Sequence, residues 1–347
     1  MEEVINKIIE AGAQAPSGGN SQPWRFEIQK NVIFIFALPE RDHPILNFRH
    51  RGTLIAIGAL LENMDIAAHT MQKKLNIQFY PNEEQQMLIA RVELLPLDIF
   101  ISDSLYDAIK NRNTNRKPFI PETLLIEQKE DLYNIRDESR KIKISWIEDA
   151  ARIKFLGEAV SKNEIVMFEN KKLHRLFFNE VVWTREEERK KGKGLFIKTL
   201  EMKPLDEKAM KILKHWPVMK IANKFGMARK IARQNSITYA SASLVGVISL
   251  RDNDEDFIQA GRIMERLWLT ATKLGLSFHL ITGILFLWQR IRAGEKDFFS
   301  KKHIKIIEQA YAAIRDTFQI NEGIITLFFR IGRSEPPSAY SYKNTKF

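Results

Sequence analysis

The sequence predicts an α+β fold built from two tandem copies of one unit. Two long amphipathic helices, at 54–71 and 257–274, carry apolar residues at helical spacing. Their central segments are comparable, with Gly-Ala-Leu-Leu-Glu-Asn at 58–63 and Gly-Arg-Ile-Met-Glu-Arg at 261–266. Each helix is followed by a short polar step and another apolar run. A coincidence of amphipathic patterns is the alternative to a duplication.

The elements of each unit follow from the hydrophobic pattern along the chain. In the first unit a helix stops at Gly12, and further elements are predicted as strands at 26–28 and 32–36, the long helix at 54–71, and strands at 77–80 and 88–94. In the second unit we expect a helix at 105–111, a strand at 142–147, a charged and largely helical stretch at 151–235, a strand at 245–250, the long helix at 257–274 and a strand at 324–331. The predicted units are 1–102 and 103–347, and the second contains an insertion at about 177–203.

Composition limits the chemistry and the partners. The chain of 347 residues has no cysteine, which excludes disulfides, thiolate nucleophiles and cysteine-ligated metal sites, and we expect no metal. Its net charge of +11 indicates an anionic partner, either nucleic acid or a phosphorylated small molecule. The densest basic run, 185–198, is interrupted by acidic residues, as on a solvated helix face. No helix-turn-helix, zinc or RNA-binding aromatic signature is present, so no nucleic-acid partner is expected.

The chain carries no recognisable targeting or membrane segment. The first residues, Met-Glu-Glu-Val, have no basic region and no long apolar run. The most apolar stretch, 276–288, is shorter than the roughly 18 residues of a membrane span and contains His279. We therefore expect a cytoplasmic protein without a membrane partner.

The loop at 15–26 is the most informative segment. It reads Ala-Pro-Ser-Gly-Gly-Asn-Ser-Gln-Pro-Trp-Arg-Phe and joins the first helix to the first strand. Its two glycines permit close approach of a ligand and its two prolines stiffen the backbone. Such a loop can present a rigid polar edge to a flat heterocyclic ligand. A simple turn between helix and strand is the alternative.

A second motif can bind phosphate. Arg112-x-Thr114-x-Arg116 places two guanidinium groups and a hydroxyl on one side of an extended segment. Arginine forks bind phosphate oxygens in a bidentate manner, and the hydroxyl adds one further bond. Taken alone, the motif is more typical of a solvated basic loop.

Together these motifs resemble those of the nitroreductase family, FMN enzymes that normally work as homodimers. Pro16-Ser17-x-x-Asn20-x-Gln22-Pro23-Trp24 looks like the family's flavin-edge loop, and the 112–116 segment is similar to its Arg-x-Ser-x-Arg element, with threonine in place of serine. The resemblance implies an FMN cofactor with NAD(P)H as electron donor. It implies these ligands in the two motifs: Pro16, Ser17, Gly18, Asn20, Gln22, Arg112, Thr114 and Arg116.

Two further segments resemble family elements. Gly275 to Gly283 is similar to the loop over the reactive face of the flavin, which implies contacts from Leu280 and Ile281 and a backbone N–H from Thr282 or Gly283 near the flavin N5. Leu280 stands where many members have proline. His279, with apolar neighbours, is read as a structural histidine. A basic residue after the last strand reaches the phosphate in similar proteins. Alternation along the strand puts Arg330 and Arg333 on opposite faces, so at most one points at the site, and Arg333, which lies beyond Gly332, is the expected one.

The order of the motifs differs from the ordinary family pattern. Here the flavin-edge loop precedes the arginine element by about ninety residues, and each occurs once. In the family's homodimer each flavin lies across the interface, so the chain resembles a fused pseudo-dimer that keeps one site, as in the Acg-like branch. There the insertion acts as a lid, for which 177–203 is the candidate. The resemblance implies an oxidoreductase acting on a small quinone or nitro compound. The alternative is an FMN-storage protein, and further oligomerisation is left open.

Overall fold

The computed structural model describes residues 1–98, 103–137, 139 and 141–344. The first unit is an antiparallel sheet with two helices packed on it, and its strands lie in the order β1-β2-β4-β3. Its elements are α1 (Glu2–Gly12), β1 (Trp24–Gln29), β2 (Val32–Ala37), α2 (Arg51–Thr70), β3 (Lys73–Phe79) and β4 (Leu88–Pro96). The turn between β1 and β2 is shorter than predicted, since Gln29 pairs with Val32 and Lys30 takes a positive φ.

The second unit contains a similar sheet and a large helical insertion. Its elements are α3 (Tyr106–Asn111), α4 (Ile126–Tyr133), β5 (Lys143–Ile147), α5 (Ala150–Val160), α6 (Lys162–Glu169), α7 (Lys171–Glu180), β6 (Val181–Val182), α8 (Arg185–Lys191), β7 (Leu195–Phe196), α9 (Pro204–Leu213), α10 (Trp216–Lys224), α11 (Met227–Ala240), β8 (Leu244–Leu250), α12 (Asp254–Lys273), β9 (Ser277–Leu280), α13 (Gly283–Arg292), α14 (Lys301–Thr317) and β10 (Ile324–Gly332). The strands lie in the order β5-β8-β10-β9.

The two sheets have the same topology. In each, the second strand pairs with the first and the fourth, the third strand lies at the edge, and every pairing is antiparallel. In each, the long helix connects the second strand to the third, as α2 does in the first unit and α12 in the second. The predicted fold of two tandem copies is therefore confirmed. The predicted boundary at 102/103 involves a residue outside the described part of the chain.

The two units meet where α2 crosses α12. A Cβ atom on Gly58 would lie 1.9 Å from the carbonyl oxygen of Ile258, and one on Gly261 would lie 2.1 Å from the carbonyl oxygen of Ile55. The contacts are reciprocal, as expected of two equivalent helices related by a pseudo-twofold axis. Only glycine lets the two backbones approach this closely. Both helices are largely buried along their length, and one apolar core continues from one unit into the other.

Residues 177–203, called the cover below, form a small substructure of their own. The end of α7 leads into the parallel pair β6 and β7, with α8 between them. Four buried residues form its apolar centre: Val181, Val182, Phe196 and Ile197. Gly192 ends α8 in the left-handed conformation, and Gly194 also has a positive φ.

Some elements were not predicted. The edge strand β9 lies in a stretch whose sequence resembles a loop, and its four residues pair with β10. The helices α4 and α14 were also missed. None of the helices in the described residues is long and apolar enough to cross a membrane.

The helix crossing gives a direct test of the packing. We expect Gly58→Ala and Gly261→Ala each to lower the free energy of unfolding by about 1–3 kcal/mol, because the added methyl group meets a backbone carbonyl that cannot move alone. Gly18→Ala is the control, since a Cβ there has open space. Urea denaturation measures the difference. Equal stability of Gly58→Ala and Gly18→Ala would contradict the crossing geometry.

Candidate functional site

A cavity of about 410 Å³ lies where both units, the cover and the last described residues meet. The first unit contributes the loop after α1, and the second contributes the segment after α3. The lining residues are Gln14, Pro16, Ser17, Asn20, Lys110, Arg112, Asn113, Thr114, Arg116, Leu195, Thr199, Ala339, Tyr340, Ser341 and Lys343. Both predicted motifs are therefore brought to one place, although they lie about ninety residues apart in the sequence.

The lining is cationic. Lys110, Arg112, Arg116 and Lys343 supply four basic groups, and no carboxylate belongs to the lining within the described ranges. Hydroxyl groups of Ser17 and Thr114 and the amide of Asn20 add neutral hydrogen-bonding groups. A second depression, of about 510 Å³ beside Met1 and Ile28, has mostly apolar walls and only one basic side chain, that of Lys30. The first cavity is thus the one suited to an anion.

Arg112 is buried and held from three sides. Its Nη2 donates to the carbonyl oxygen of Gln14 at 2.7 Å, and its Nε lies 3.0 Å from Oε1 of the fully buried Glu265, without the alignment of a hydrogen bond. Its guanidinium also lies over the ring of Trp268, 4.6 Å from the centroid. Burial lowers the pKa of Arg112 and raises the pKa of Glu265 to about 7. The interpretation of the motif as a solvated basic loop is therefore wrong for Arg112.

Arg116 reaches the cover. Its Nη1 donates to the carbonyl oxygen of Thr199 at 3.0 Å, and burial lowers its pKa. Between the two arginines, Thr114 forms a β-bridge with Phe278 of β9. The backbone N–H of Asn115 donates to the carbonyl oxygen of Phe278 at 3.1 Å. The arginine element is thus fixed along the edge of the second sheet.

The loop after α1 is a rigid turn. Ser17 Oγ accepts a hydrogen bond from the backbone N–H of Gln22 at 2.9 Å. Gly19, Asn20 and Gln22 all have positive φ, whereas Gly18 is exposed and does not. Of the predicted loop ligands, Pro16, Ser17 and Asn20 line the cavity, and Gly18 and Gln22 do not.

Residues 338–344, called the strap below, explain the position of Gln22. Asn20 Nδ2 donates to the carbonyl oxygen of Tyr342 at 2.9 Å, and Gln22 Oε1 accepts from the backbone N–H of Asn344 at 2.8 Å. The amide side chains predicted to read a ligand edge are therefore bonded to the strap. Gln22 Nε2 also donates to the carbonyl oxygen of Gly192 in the cover, at 3.1 Å.

The cover holds the strap from its other side. Arg185 Nη1 donates to the carbonyl oxygen of Tyr340 at 2.7 Å, and the buried Glu188 accepts from the backbone N–H of Tyr342 at 2.8 Å. Glu201 accepts two hydrogen bonds from Ser338, each at 2.6 Å. Cover and strap together close one side of the cavity.

Lys343 is the site residue that the sequence interpretation missed. Its Nζ donates to the carbonyl oxygen of Ala15 at 2.6 Å and to Asn20 Oδ1 at 3.2 Å. Burial and the nearby Arg112 lower its pKa to about 7. No local pattern around residue 343 indicates a site, because its position depends on the return of the strap to the first unit.

Some predicted residues are not brought to the cavity. Leu280, Ile281, Thr282 and Gly283 lead from β9 into α13 and do not belong to its lining. The N–H groups of Thr282 and Gly283 have no acceptor among the described residues, as expected at a helix N-terminus. Gly283 packs so closely on Asn163 that a Cβ would lie 2.5 Å from Oδ1.

The structure brings neither arginine of the last strand into the cavity lining. Arg333 is half exposed and pairs with Glu122, with Nε and Oε1 3.1 Å apart, away from the cavity lining. Arg330 is fully buried and donates to the carbonyl oxygen of Lys117 at 2.8 Å, directly after the arginine element. Both faces of β10 are covered, so alternation along the strand does not separate a site face from a solvent face.

Arg330 also determines the protonation state of His279. Its Nε donates to His279 Nδ1 at 3.1 Å, so this imidazole is neutral and accepts at Nδ1. Burial and the charges of Arg330 and Arg116 hold the pKa of His279 well below its usual value. The structural interpretation of His279 is confirmed.

The equivalent of Glu265 in the first unit is Glu62, because Gly58 and Gly261 occupy equivalent positions. Glu62 pairs with Arg262 Nε at 3.0 Å and with Arg266 Nε at 2.5 Å, both from α12. The cations around Glu62 are therefore arginines of α12, whereas the cations around Glu265 are Arg112 and Lys343 at the cavity. The two units are equivalent in fold but not in this site.

Comparisons with known proteins agree with the resemblance. The sequence model described as "Nitroreductase family" matches residues 1–33. The uncharacterized protein MT1398 of Mycobacterium tuberculosis (strain CDC 1551 / Oshkosh) is 22% identical over 98% of this chain and 47% of its own length. A protein of the same strain named "Putative NAD(P)H nitroreductase acg" is 28% identical over 34% of this chain and 36% of its own length. The chain thus spans about half the length, or less, of these curated relatives.

Solved structures give a more distant likeness. The FMN-dependent nitroreductase NfnB from Mycobacterium smegmatis, in complex with NADPH, has 13% identity and a TM-score of 0.36, over 66% of this chain and 86% of that chain. A nitroreductase with bound FMN from Bacteroides fragilis NCTC 9343 has 8% identity and a TM-score of 0.37, over 70% and 95% of the two chains.

The burial of Arg112 changes the expected effect of its removal. Arg112→Ala leaves the buried carboxyl of Glu265 without its partner. We expect the free energy of unfolding to fall by about 3 kcal/mol or more. Adding Glu265→Gln should restore much of the loss, because the amide carries no charge. Arg333→Ala is the exposed control, and urea denaturation is the measurement. An Arg112→Ala variant as stable as Arg333→Ala would rule out a structural role for the pair.

Proposed function

Since the chain belongs to the nitroreductase family, in the branch that includes acg, we propose that it binds FMN in the cavity between its two units. We propose that it then acts as an oxidoreductase that takes electrons from NAD(P)H and gives them to a small quinone or nitro compound. The fused chain would work as an internal pseudo-dimer with a single flavin site.

One observation carries this proposal. Two motifs from different units meet at a cavity whose charged lining residues are all cations. A cavity of this size lies within the range of small-molecule and cofactor sites. Lys110 is exposed, whereas burial lowers the pKa of Arg112, Arg116 and Lys343. Three desolvated cations favour an anionic ligand, and a phosphate group meets the bidentate geometry of an arginine fork.

The residues present are suited to FMN. Arg116, Arg112 and Lys343 would hold the phosphate, with hydroxyl bonds from Ser17 and Thr114, and Asn20 would contact the ring edge. When bound, FMN supplies hydride acceptance and electron transfer. The chain itself would bind and orient the ligand and would exclude water through the cover and the strap.

The loop before α13 has a separate proposed role. The family resemblance still proposes the backbone N–H groups of Thr282 and Gly283 as donors toward the ligand, although both residues lie outside the cavity lining; no acceptor occupies these groups in the part of the chain described. Leu280 and Ile281 would only shape this loop. Arg333 is withdrawn as a phosphate ligand, since its partner is Glu122.

A second candidate function has an observation in its favour. Cover and strap are bonded to each other and to Asn20 and Gln22, so they close the side of the cavity on which they lie. A protein that keeps this arrangement would bind FMN tightly but would admit electron donors and acceptors poorly. It would then store FMN with little reductase activity.

The visible spectrum separates these functions. The purified chain, saturated with FMN, is expected to show a flavin absorption band that NADH or NADPH bleaches without oxygen and that a quinone restores. A band that neither donor bleaches would favour storage. A chain that takes up no FMN at all would contradict both candidates.

Arg116 gives the cleanest test of the binding site. We expect Arg116→Ala to weaken FMN binding by about 1.5–3 kcal/mol, the scale of a hydrogen bond to a charged group. Arg333→Ala is the matched control and is expected to bind FMN as the parent does. Quenching of flavin fluorescence measures both affinities. Equal affinities for the two variants would remove the arginine element from the site.

The low pKa of Lys343 predicts a pH dependence. Its ammonium is protonated below about pH 7 and neutral above it, so an anion in the cavity should bind more weakly as the pH rises through 7. We expect a loss of about tenfold in FMN affinity from this one charge. Lys343→Met should bind weakly and should show a smaller step, the remainder coming from Glu265, whose pKa is also about 7. A parent affinity that is flat from about pH 6.5 to 8.5 would exclude Lys343 as a phosphate ligand.

A further inference from the structure

The helices α9 and α10, which follow the cover in the sequence, carry an exposed apolar cluster. In α10, Met219 is fully buried against the core, while Val218 and Ile221 on the opposite side, and Phe225 directly after the helix, are 38%, 59% and 87% exposed. These three residues are spaced by three and four positions and therefore share one side of the helix. Leu205 and Ile212 on α9 are exposed as well.

The clustering distinguishes these residues from ordinary surface hydrophobics. Of the fifteen large hydrophobic residues exposed in the described chain, six lie between 205 and 237. Single exposed apolar residues are normal on a protein surface, whereas a contiguous group marks a contact with a partner or a lipid surface.

The same stretch is strongly basic. Residues 203–233 contain nine basic and two acidic side chains, and all nine basic residues are exposed. Lys220 and Lys224 directly precede Ile221 and Phe225 and are exposed, so these cations lie about 100° around the helix from the apolar side chains and border them. The acidic Glu207 is already paired with Lys198 of the cover, with Nζ and Oε2 2.7 Å apart.

We propose that this basic apolar face docks on an anionic phospholipid surface. The apolar side chains would enter the boundary between headgroups and acyl chains, and the lysines would pair with the headgroups. Charge favours an anionic lipid surface as the partner, because the exposed apolar side chains lie in a stretch whose exposed charged residues are mostly basic. The sequence predicts no membrane partner because it contains no spanning segment. A helix that lies on the membrane surface does not require a spanning segment.

Vesicle co-sedimentation of the full chain tests the proposal. We expect binding to vesicles of phosphatidylcholine and phosphatidylserine in a two-to-one ratio, and none to phosphatidylcholine alone. Ile221→Ser combined with Phe225→Ser, and separately Lys220→Glu combined with Lys224→Glu, should each weaken binding by about tenfold or more. Circular dichroism and FMN binding check that the variants are folded.

Matched controls identify the face. Ile126→Ser changes an equally exposed isoleucine on α4, and Lys74→Glu reverses an exposed lysine on β3. Both should bind the anionic vesicles as the parent does. The proposal is overturned if the parent does not bind these vesicles, or if the control and test variants lose binding equally. It is also overturned if duplex DNA binds the parent and the Ile221 and Phe225 variant alike, which would identify a nucleic-acid surface.

Discussion

The backbone contact between α2 and α12 is the constraint on which the rest of the structure depends. Gly58 and Gly261 each leave room for a main-chain carbonyl of the other helix, so the two units have one mutual orientation. That orientation brings the loop after α1 in the first unit against the segment after α3 in the second. A wider crossing would separate the two walls of the cavity.

The same helix that makes this crossing also orients the site. One turn beyond Gly261, α12 presents Glu265 to Arg112, and Trp268 lies under the same guanidinium. The site therefore inherits its rigidity from the interface between the units. Its electrostatics are unbalanced, since Arg112 and Lys343 face the buried carboxyl of Glu265, whose own pKa is raised, and Arg116 adds a third cation to the cavity lining. Burying cations without matching carboxylates is unfavourable, and a bound anion would neutralise part of their charge.

The sequence predicted those features that local patterns encode. Helix periodicity located α2 and α12, alternation located the hairpin of β1 and β2, and the two motifs located Ser17, Asn20, Arg112 and Arg116. The strap and Lys343 could not be predicted, because their positions depend on contacts between residues more than 300 positions apart. Alternation places Arg330 and Arg333 on opposite faces of β10, but it does not indicate that both faces are covered, so it could not identify a site arginine. The edge strand β9 was missed for a similar reason, since only its pairing with β10 makes it a strand.

The central claim is that two equivalent units build one flavin site between them. The most direct measurement is the amount of flavin released when the saturated protein is denatured, with the flavin identified by chromatography. The account predicts FMN at one molecule per chain, because the cation cluster occurs at Glu265 and the equivalent Glu62 is neutralised by helix arginines. Two molecules of FMN per chain would contradict it, since each unit would then carry a site of its own.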